Sequence, residues 1–166
     1  MLDVIYNPLR VSDIGKVFAS KFYKMDIDCV VTVETKGIPL AFCTASLLNV
    51  PLVIVRHYNE VADGASVNTN FSSGSSSRMQ TMVLPIKALK RNSRLLFIDD
   101  FMKGGGTAKG IIELTREFEC DVIGIGVLIA TQEPKKKLVD NWFSLIELSN
   151  VNTDAESIEI RPGKYS

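Results

Sequence analysis

Short apolar runs alternate along this chain with longer segments in which apolar side chains recur at helical spacing. The apolar runs predict strands, because a strand covered on both faces of a sheet shows no polar alternation. They occupy residues 29–33, 52–55, 95–98 and 122–130. The helical segments are residues 12–24, with Ser12 as a candidate N-cap, 39–48, which Pro39 opens, and 107–118. Strands that alternate with helices predict an α/β fold with a doubly wound, mainly parallel sheet.

The segment from about residue 59 to 82 departs from this pattern because it is polar and rich in serine. Its alternating positions are Val67, Thr69 and Phe71 before Gly74, and Met79, Thr81 and Val83 after it. Two alternating runs joined by a glycine-containing loop predict a β-hairpin rather than an interdomain linker. We therefore interpret residues 1–166 as a single domain from which this hairpin extends as a flexible arm.

Composition and charge are those of an ordinary globular protein. Of the 166 residues, 46% are hydrophobic and 23% are charged, and the formal net charge of zero provides no overall attraction to nucleic acid. The three cysteines are scattered through apolar segments, which favours buried free thiols over a disulfide framework or a metal site. No apolar run approaches the ~18 residues of a membrane span and no signal peptide precedes the fold, so we expect a cytoplasmic protein.

Candidate chemistry is concentrated where the third predicted strand ends. Asp99 and Asp100 follow that strand directly, and the glycines at 104–106 precede Thr107 at the start of the next helix. In a parallel sheet, ligands bind beyond the carboxyl ends of the strands. Adjacent carboxylates suit vicinal hydroxyls or a hydrated Mg²⁺, and glycine backbone at a helix N-terminus suits a phosphate. The stretch predicts a sugar-phosphate site; the alternative is that the glycines only turn the chain into the helix.

The loop after the first predicted strand repeats this strand–loop–helix arrangement. Thr35 offers a hydroxyl, Lys36 a positive charge and Gly37 a close approach to the backbone, which together suit a second phosphate. The residues leave open that Lys36 is a solvated loop lysine. We interpret His57, the only histidine, as an edge residue, and the lysines at 135–137 as a surface cluster at the start of a helix.

Four apolar residues, two acids and a short Thr/Gly loop, in this order, resemble the binding motif for phosphoribosyl pyrophosphate (PRPP) in the type I phosphoribosyltransferases. The resemblance implies their fold, an α/β doubly wound and mainly parallel sheet with a flexible hairpin arm and a small C-terminal hood. It also implies that Asp99 and Asp100 hold the ribose hydroxyls of PRPP, with Mg²⁺ accompanying the ligand.

The same resemblance implies two phosphate subsites. The residues implied around the 5′-phosphate are Lys103, Gly104, Gly105, Gly106 and Thr107. The residues implied around the pyrophosphate are Thr35, Lys36, Gly37, Arg56 and Arg78. A surface ion pair is the alternative for Arg56, and a solubilising role in the arm is the alternative for Arg78.

Longer stretches narrow the resemblance to the pur operon repressors of Gram-positive bacteria. These stretches are 35–41, 48–56, 73–76, 99–103 and 124–128, within a match that covers residues 10–160. The resemblance implies a homodimeric domain that senses PRPP or a related purine nucleotide. Those repressors contact operator DNA through an N-terminal winged helix, and nothing before residue 12 could encode one. We therefore expect this chain to be the effector half, which reaches DNA only through that absent domain.

A catalytic purine phosphoribosyltransferase, acting on adenine or xanthine, is the competing interpretation, because it would bind the same PRPP. The enzymes commonly have a small aliphatic residue and two small hydroxyl residues where this chain has Phe101, Lys103 and Gly104. This departure affects turnover more than binding, so it favours the sensor. We therefore expect neither catalytic residues nor a metal site made by the protein alone.

Overall fold

The computed structural model describes residues 7–57, 65–72, 79–149 and 158–163, and one eight-stranded sheet runs through them. The strands are β1 (Cys29–Val33), β2 (Leu52–His57), β3 (Ser66–Ser72), β4 (Met79–Pro85), β5 (Arg94–Met102), β6 (Asp121–Thr131), β7 (Trp142–Ser149) and β8 (Glu159–Pro162). Their order across the sheet is β3-β4-β2-β1-β5-β6-β7-β8. The strands from β2 to β7 in this order are parallel, while β4 and β8 join them antiparallel. The predicted mainly parallel sheet is confirmed.

Helices lie on both faces of the sheet. They are α1 (Pro8–Phe22), followed by a 3₁₀ turn at Tyr23–Met25, α2 (Ile38–Leu48) and α3 (Gly106–Arg116). Successive strand residues point to opposite faces, so Val30 is buried with Phe18 of α1 and Leu40 of α2, whereas Val31 is buried with Ile111 of α3. The doubly wound α/β fold is therefore confirmed. In the part of the chain that the structure describes, no helix combines the length and apolar character that crossing a membrane requires.

Strands β5 and β2 extend further than the sequence predicts because neighbouring strands supply partners for the extra residues. β5 continues to Met102 and so includes both acids, since Asp99 lies opposite Val127 of β6. β2 continues to His57, which lies opposite Met82 of β4. The candidate acids are therefore held by the sheet itself rather than by the loop that follows it.

Helix α1 begins earlier than predicted. Its N-cap is Asn7, whose side-chain oxygen accepts hydrogen bonds from the backbone N–H groups of Leu9 and Arg10 at 3.1 and 3.3 Å. Pro8 follows in the first turn, where its missing N–H leaves no helical hydrogen bond unmade. Ser12 lies inside the helix, so the prediction that it caps α1 is wrong.

Both edges of the sheet are formed by antiparallel strands. β8 pairs with β7 and continues the main sheet at the C-terminal end of the described chain. At the opposite edge, β3 and β4 form the predicted hairpin, in which Val67 lies opposite Leu84 and Phe71 lies opposite Gln80. The tip of the hairpin, including Arg78, lies outside the described residues.

The cysteines are free thiols, as predicted. Cys29 and Cys120 are buried and Cys43 is partly buried. Burial raises the pKa of the Cys29 thiol to about 11, so this side chain stays protonated near neutral pH. Cys29 and Cys120 both belong to the core on the α3 side of the sheet, where they serve as small apolar residues.

The crossing of α1 and α2 depends on Gly15. A Cβ atom at this position would lie 2.7 Å from the Cβ of Cys43 and 3.3 Å from its carbonyl carbon. Gly15→Ala should therefore lower the free energy of unfolding by about 1–3 kcal/mol, although alanine has the higher helix propensity by ~1 kcal/mol. Denaturant unfolding measures the change, and Ser20→Ala, at an exposed position of the same helix, is the control. A Gly15→Ala chain as stable as the wild type would contradict the close crossing.

Candidate functional site

A cleft of about 380 Å³ opens at the carboxyl ends of β1, β2 and β5, the edge of the sheet where the sequence predicts a ligand. Its lining residues are Val33, Glu34, Thr35, Lys36, His57, Phe71, Gln80, Asp99, Asp100, Phe101 and Thr107. The structure thus brings together the loop after β1, the acid pair of β5 and the first turn of α3. These are segments that the sequence predicted to share one site.

A smaller hollow of about 50 Å³ adjoins the cleft, between the end of β5 and the start of α3. Residues 103–107, all predicted at the 5′-phosphate, line this hollow, which shares Asp99, Phe101 and Thr107 with the cleft. Gly105 has a φ of 84°, in the left-handed region that favours glycine, where the chain turns into α3. The hollow therefore lies against the positive end of a helix, a position that favours an anion.

The acid pair is partly buried and lacks a positive partner among the residues that the structure describes. The backbone N–H of Asp100 donates to Oδ1 of Asp99 at 2.8 Å, and Asp100 is 8% exposed. Burial, followed by the negative charge of Asp100, raises the pKa of Asp99 well above its usual value. Neither carboxyl forms an ion pair with another described residue. Such a pair is suited to hydroxyl donors or to a cation that arrives with a ligand.

Asp99 and Asp100 are carboxylates of the cleft that could contact a metal ion. Among the residues that the structure describes, no three His, Cys, Asp or Glu side chains lie close enough together to hold one. Mg²⁺ commonly uses one or two carboxylates and takes its other oxygens from water and substrate phosphates. Asp99 and Asp100 fit this mode of binding, in which the ligand brings most of the coordination.

Gly37 brings the loop after β1 against the acid pair. A Cβ atom on Gly37 would lie 2.6 Å from Oγ1 of Thr32 and 3.0 Å from Oδ1 of Asp99, so the approach requires glycine. At the start of the loop, Oε1 of Glu34 accepts a hydrogen bond from the backbone N–H of His57 at 2.7 Å. The loop is therefore in contact with both β5 and β2.

Strand β2 presents His57, rather than Arg56, to the cleft. Side chains alternate along a strand, so His57 shares the face of buried Val55 while the exposed Arg56 points to the other face. The His57 ring lies 5.9 Å from the Phe71 ring at an interplanar angle of 21°. Its Nδ1 is buried and has no hydrogen-bond partner among the described residues. The sequence interpretation treated His57 only as an edge residue and did not identify Phe71 or Gln80 as residues of the cleft. The alternation of side chains along the strand that contains Val55 was the signal that could have placed His57 there.

Lys137 is buried, so its assignment to a surface cluster is wrong. The residue is 9% exposed, and its Nζ donates to the carbonyl oxygens of Lys103 at 2.6 Å and of Thr131 at 2.7 Å. No helix begins at this point in the described chain. The side chain turns inward to carbonyl groups at the ends of two neighbouring strands. Lys135 and Lys136 are exposed, as predicted.

Two transcriptional regulators resemble this chain in sequence. The family model of the phosphoribosyl transferase domain matches residues 3–161. A purine biosynthesis transcriptional repressor from Bacillus subtilis is 49% identical over 165 residues, which are 99% of this chain and 58% of the repressor. A purine biosynthesis transcriptional activator from Lactococcus lactis is 36% identical over 161 residues, 97% of this chain and 59% of the activator. The chain spans less than two thirds of the length of these regulators.

Enzymes are also similar, at lower identity and over a larger share of their own length. A xanthine phosphoribosyltransferase from Streptococcus pyogenes is 30% identical over 141 residues, 83% of this chain and 73% of the enzyme. The crystal structure of an adenine phosphoribosyltransferase from Giardia lamblia superposes with a TM-score of 0.78 at 22% identity. That superposition covers 87% of this chain and 83% of the enzyme, and shows that the fold is shared.

Proposed function

This chain belongs to the phosphoribosyl transferase family, and from that premise we propose that its cleft binds PRPP. The observation that carries the proposal is the convergence of two glycine-containing loops and an acid pair on one site. Asp99 and Asp100 accept hydrogen bonds from the ribose hydroxyls. The loop at 103–107 takes the 5′-phosphate, and the loop at 35–37 takes the pyrophosphate.

Mg²⁺ accompanies the ligand in this proposal. Asp99 and Asp100 would contact the hydrated ion, which would partly neutralise the pyrophosphate and the acid pair. Burial and the charge of Asp100 raise the pKa of Asp99, and a nearby cation would oppose this shift by stabilising the ionised carboxylate. His57 and Lys36 line the same cleft and would lie near the pyrophosphate.

The cellular role that we propose is that of the PRPP-sensing part of a repressor of purine biosynthesis genes. The support is the 49% identity to the Bacillus subtilis repressor, which extends over 99% of this chain. Operator DNA would be bound by a part of the protein that lies outside this chain. In this proposal the protein acts in the cytoplasm. PRPP changes DNA affinity in such a protein only if it prefers one conformational or dimeric state.

A purine phosphoribosyltransferase is the second candidate function. The 30% identity to a xanthine phosphoribosyltransferase favours it, together with a cleft that the acid pair and the loop after β1 both line. Such an enzyme works by positioning and charge stabilisation, so the absence of an evident nucleophile does not exclude it. Phe101, Lys103 and Gly104 favour the sensor, because they replace the small aliphatic and hydroxyl residues that the enzymes commonly have.

Two measurements test the proposed function. Calorimetric titration of the chain with PRPP in the presence of Mg²⁺ should show saturable binding, and its absence would overturn the assignment of the cleft. Incubation with PRPP and adenine, guanine, hypoxanthine or xanthine, followed by an assay of released pyrophosphate, separates the two candidates. We expect no turnover, and robust turnover with any base would establish the enzyme instead.

We further propose that the chain forms a homodimer in which α2 is covered by the second copy. The eleven residues of α2 include no charged side chain, and Phe42 and Leu47 of this helix are 62% and 51% exposed. Large apolar side chains exposed on an uncharged helix are typical of a surface that another protein covers. Sedimentation equilibrium should give the mass of a dimer, and a monomer at all concentrations would contradict this proposal.

A further inference from the structure

The loop at residues 103–106 is held from behind by the segment that follows β6. Nζ of Lys137 donates to the carbonyl oxygen of Lys103 at 2.6 Å, and the backbone N–H of Leu138 donates to the carbonyl oxygen of Gly104 at 2.8 Å. Val139 completes the contact, because a Cβ atom on Gly105 would lie 3.2 Å from its Cγ2. Two consecutive carbonyl groups of the loop are thus fixed by hydrogen bonds from one side.

These two hydrogen bonds also determine where the N–H groups of the loop point. The peptide bonds after Lys103 and Gly104 are trans, so each carbonyl and the following N–H point in opposite directions. With both carbonyls turned towards residues 137 and 138, the N–H groups of Gly104 and Gly105 are directed away from that segment. The hollow lined by residues 103–107 lies beside this loop and is the place where an anion would accept from them.

We infer that Lys137 is a positioning residue for the 5′-phosphate subsite: its ammonium fixes the carbonyl of Lys103 and thereby aims the N–H of Gly104 at the phosphate. This inference rests on the proposed function. Lys137 reaches no ligand itself in this arrangement. Its second hydrogen bond, to the carbonyl of Thr131 at 2.7 Å, ties the loop to the end of β6 and keeps the ammonium in place.

The ammonium group of Lys137 is a buried charge that interacts with two acidic side chains. Burial lowers the pKa of its ammonium, while the negative charges of Glu133 and Glu147 oppose that shift. Its neighbours Lys135 and Lys136 are exposed to solvent. A buried positive charge behind a phosphate-binding loop also attracts the dianion that the loop would bind.

Two half-ligands, each of which corresponds to one part of PRPP, distinguish a positioning role of Lys137 from a general contribution to folding. Ribose 5-phosphate tests the loop at 103–107, whereas inorganic pyrophosphate tests the loop at 35–37, which Lys137 does not touch. Lys137→Met removes the donors and keeps a side chain of similar length. Lys137→Arg keeps the donors and the charge, and Lys136→Met is the matched control at an exposed position.

We expect Lys137→Met to bind ribose 5-phosphate about tenfold more weakly than the wild type, with unchanged affinity for pyrophosphate. Lys137→Arg should recover part of the loss, and Lys136→Met should bind both ligands normally. If Lys137→Met does not fold, Lys137→Leu, which likewise removes the donors, takes its place in the same comparison.

The positioning role is overturned if ribose 5-phosphate binds the variant as it binds the wild type, or if both half-ligands lose affinity equally. Failure of the proposed function looks different, because in that case the wild-type chain itself does not bind PRPP. If the wild type binds PRPP and Lys137→Met binds ribose 5-phosphate as the wild type does, only the positioning role of Lys137 is contradicted.

Discussion

Replacing Asp99 and Asp100 together with asparagine should weaken the binding of Mg²⁺–PRPP by about 100-fold or more. In the proposed complex the two carboxylates accept hydrogen bonds from the ribose hydroxyls and face the cation. A hydrogen bond to a charged group contributes about 1.5–3 kcal/mol, so the loss of two charged acceptors exceeds the ~2.7 kcal/mol that a 100-fold change represents. Calorimetric titration measures the affinity directly.

Asparagine preserves the size of the side chains and one oxygen of each, so the comparison reports charge rather than a cavity. Asp140→Asn provides the matched control, since Asp140 is exposed and lines neither the cleft nor the adjoining hollow. Its affinity for PRPP should equal that of the wild type. Equal affinities for the wild type and the double variant would remove the acid pair from the site.

The single substitution Asp99→Asn should make the chain more stable at neutral pH, although it weakens binding. In the folded chain, burial and the charge of Asp100 raise the pKa of Asp99 above the unfolded value of about 3.9. The folded state therefore binds this proton more tightly, and stability falls as the pH rises from the unfolded pKa through the folded one. Asparagine has no charge to desolvate, so the melting temperature should rise at neutral pH and change little in acid below both pKa values. If Asp99→Asn melts at a lower temperature than the wild type at neutral pH, the expected direction of this stability change is wrong.

Gly37→Ala should abolish measurable binding of pyrophosphate and weaken that of PRPP by at least about tenfold. The new methyl group would lie 2.6 Å from Oγ1 of Thr32 and 3.0 Å from Oδ1 of Asp99. Thr32 is fully buried in β1 and Asp99 is held in β5, so neither can move away without disturbing the sheet. The loop must move instead, which takes Thr35 and Lys36 out of the cleft.

The matched control for Gly37→Ala is Gly104→Ala, in the loop at 103–107. Among the described residues, a Cβ atom on Gly104 meets only the side chain of Pro134, at 4.0 Å. This variant should bind pyrophosphate with the affinity of the wild type. Pyrophosphate binding that survives in Gly37→Ala would show that the contact between this loop and the acid pair is not needed for the site.

Most of the fold and the outline of the site could be predicted from the sequence because the signals were local. Buried parallel strands appear as unbroken apolar runs, and the acids and glycines that follow β5 occupy one continuous stretch. Asp99 and Thr107 are eight positions apart on a single strand–loop–helix unit, so their proximity follows from that unit alone. The loop at 35–37 joined them because parallel strands bring their carboxyl ends to the same edge.

The rest depended on packing between segments that are distant in sequence. His57 enters the cleft because pairing with β4 extends β2 by two residues, which a single strand does not reveal. Lys137 resembles its exposed neighbours in sequence, and only the return of the chain over the loop at 103–106 buries it. Asn7, rather than Ser12, caps α1. Its place just before a proline in the first turn was a stronger signal for the start of the helix than the spacing of the apolar residues.

The adjoining hollow and cleft share Asp99, Phe101 and Thr107, so the two proposed phosphate subsites would form halves of one continuous site. A ligand that has both phosphate groups on one ribose engages the second half at a high effective concentration once the first half is bound. Linked binding of this kind can exceed the separate affinities by about 10²–10⁴ without any new contact. A molecule with only one of the groups gains no such advantage. The chain would therefore respond selectively to a ligand that carries both a 5′-phosphate and a pyrophosphate on one sugar.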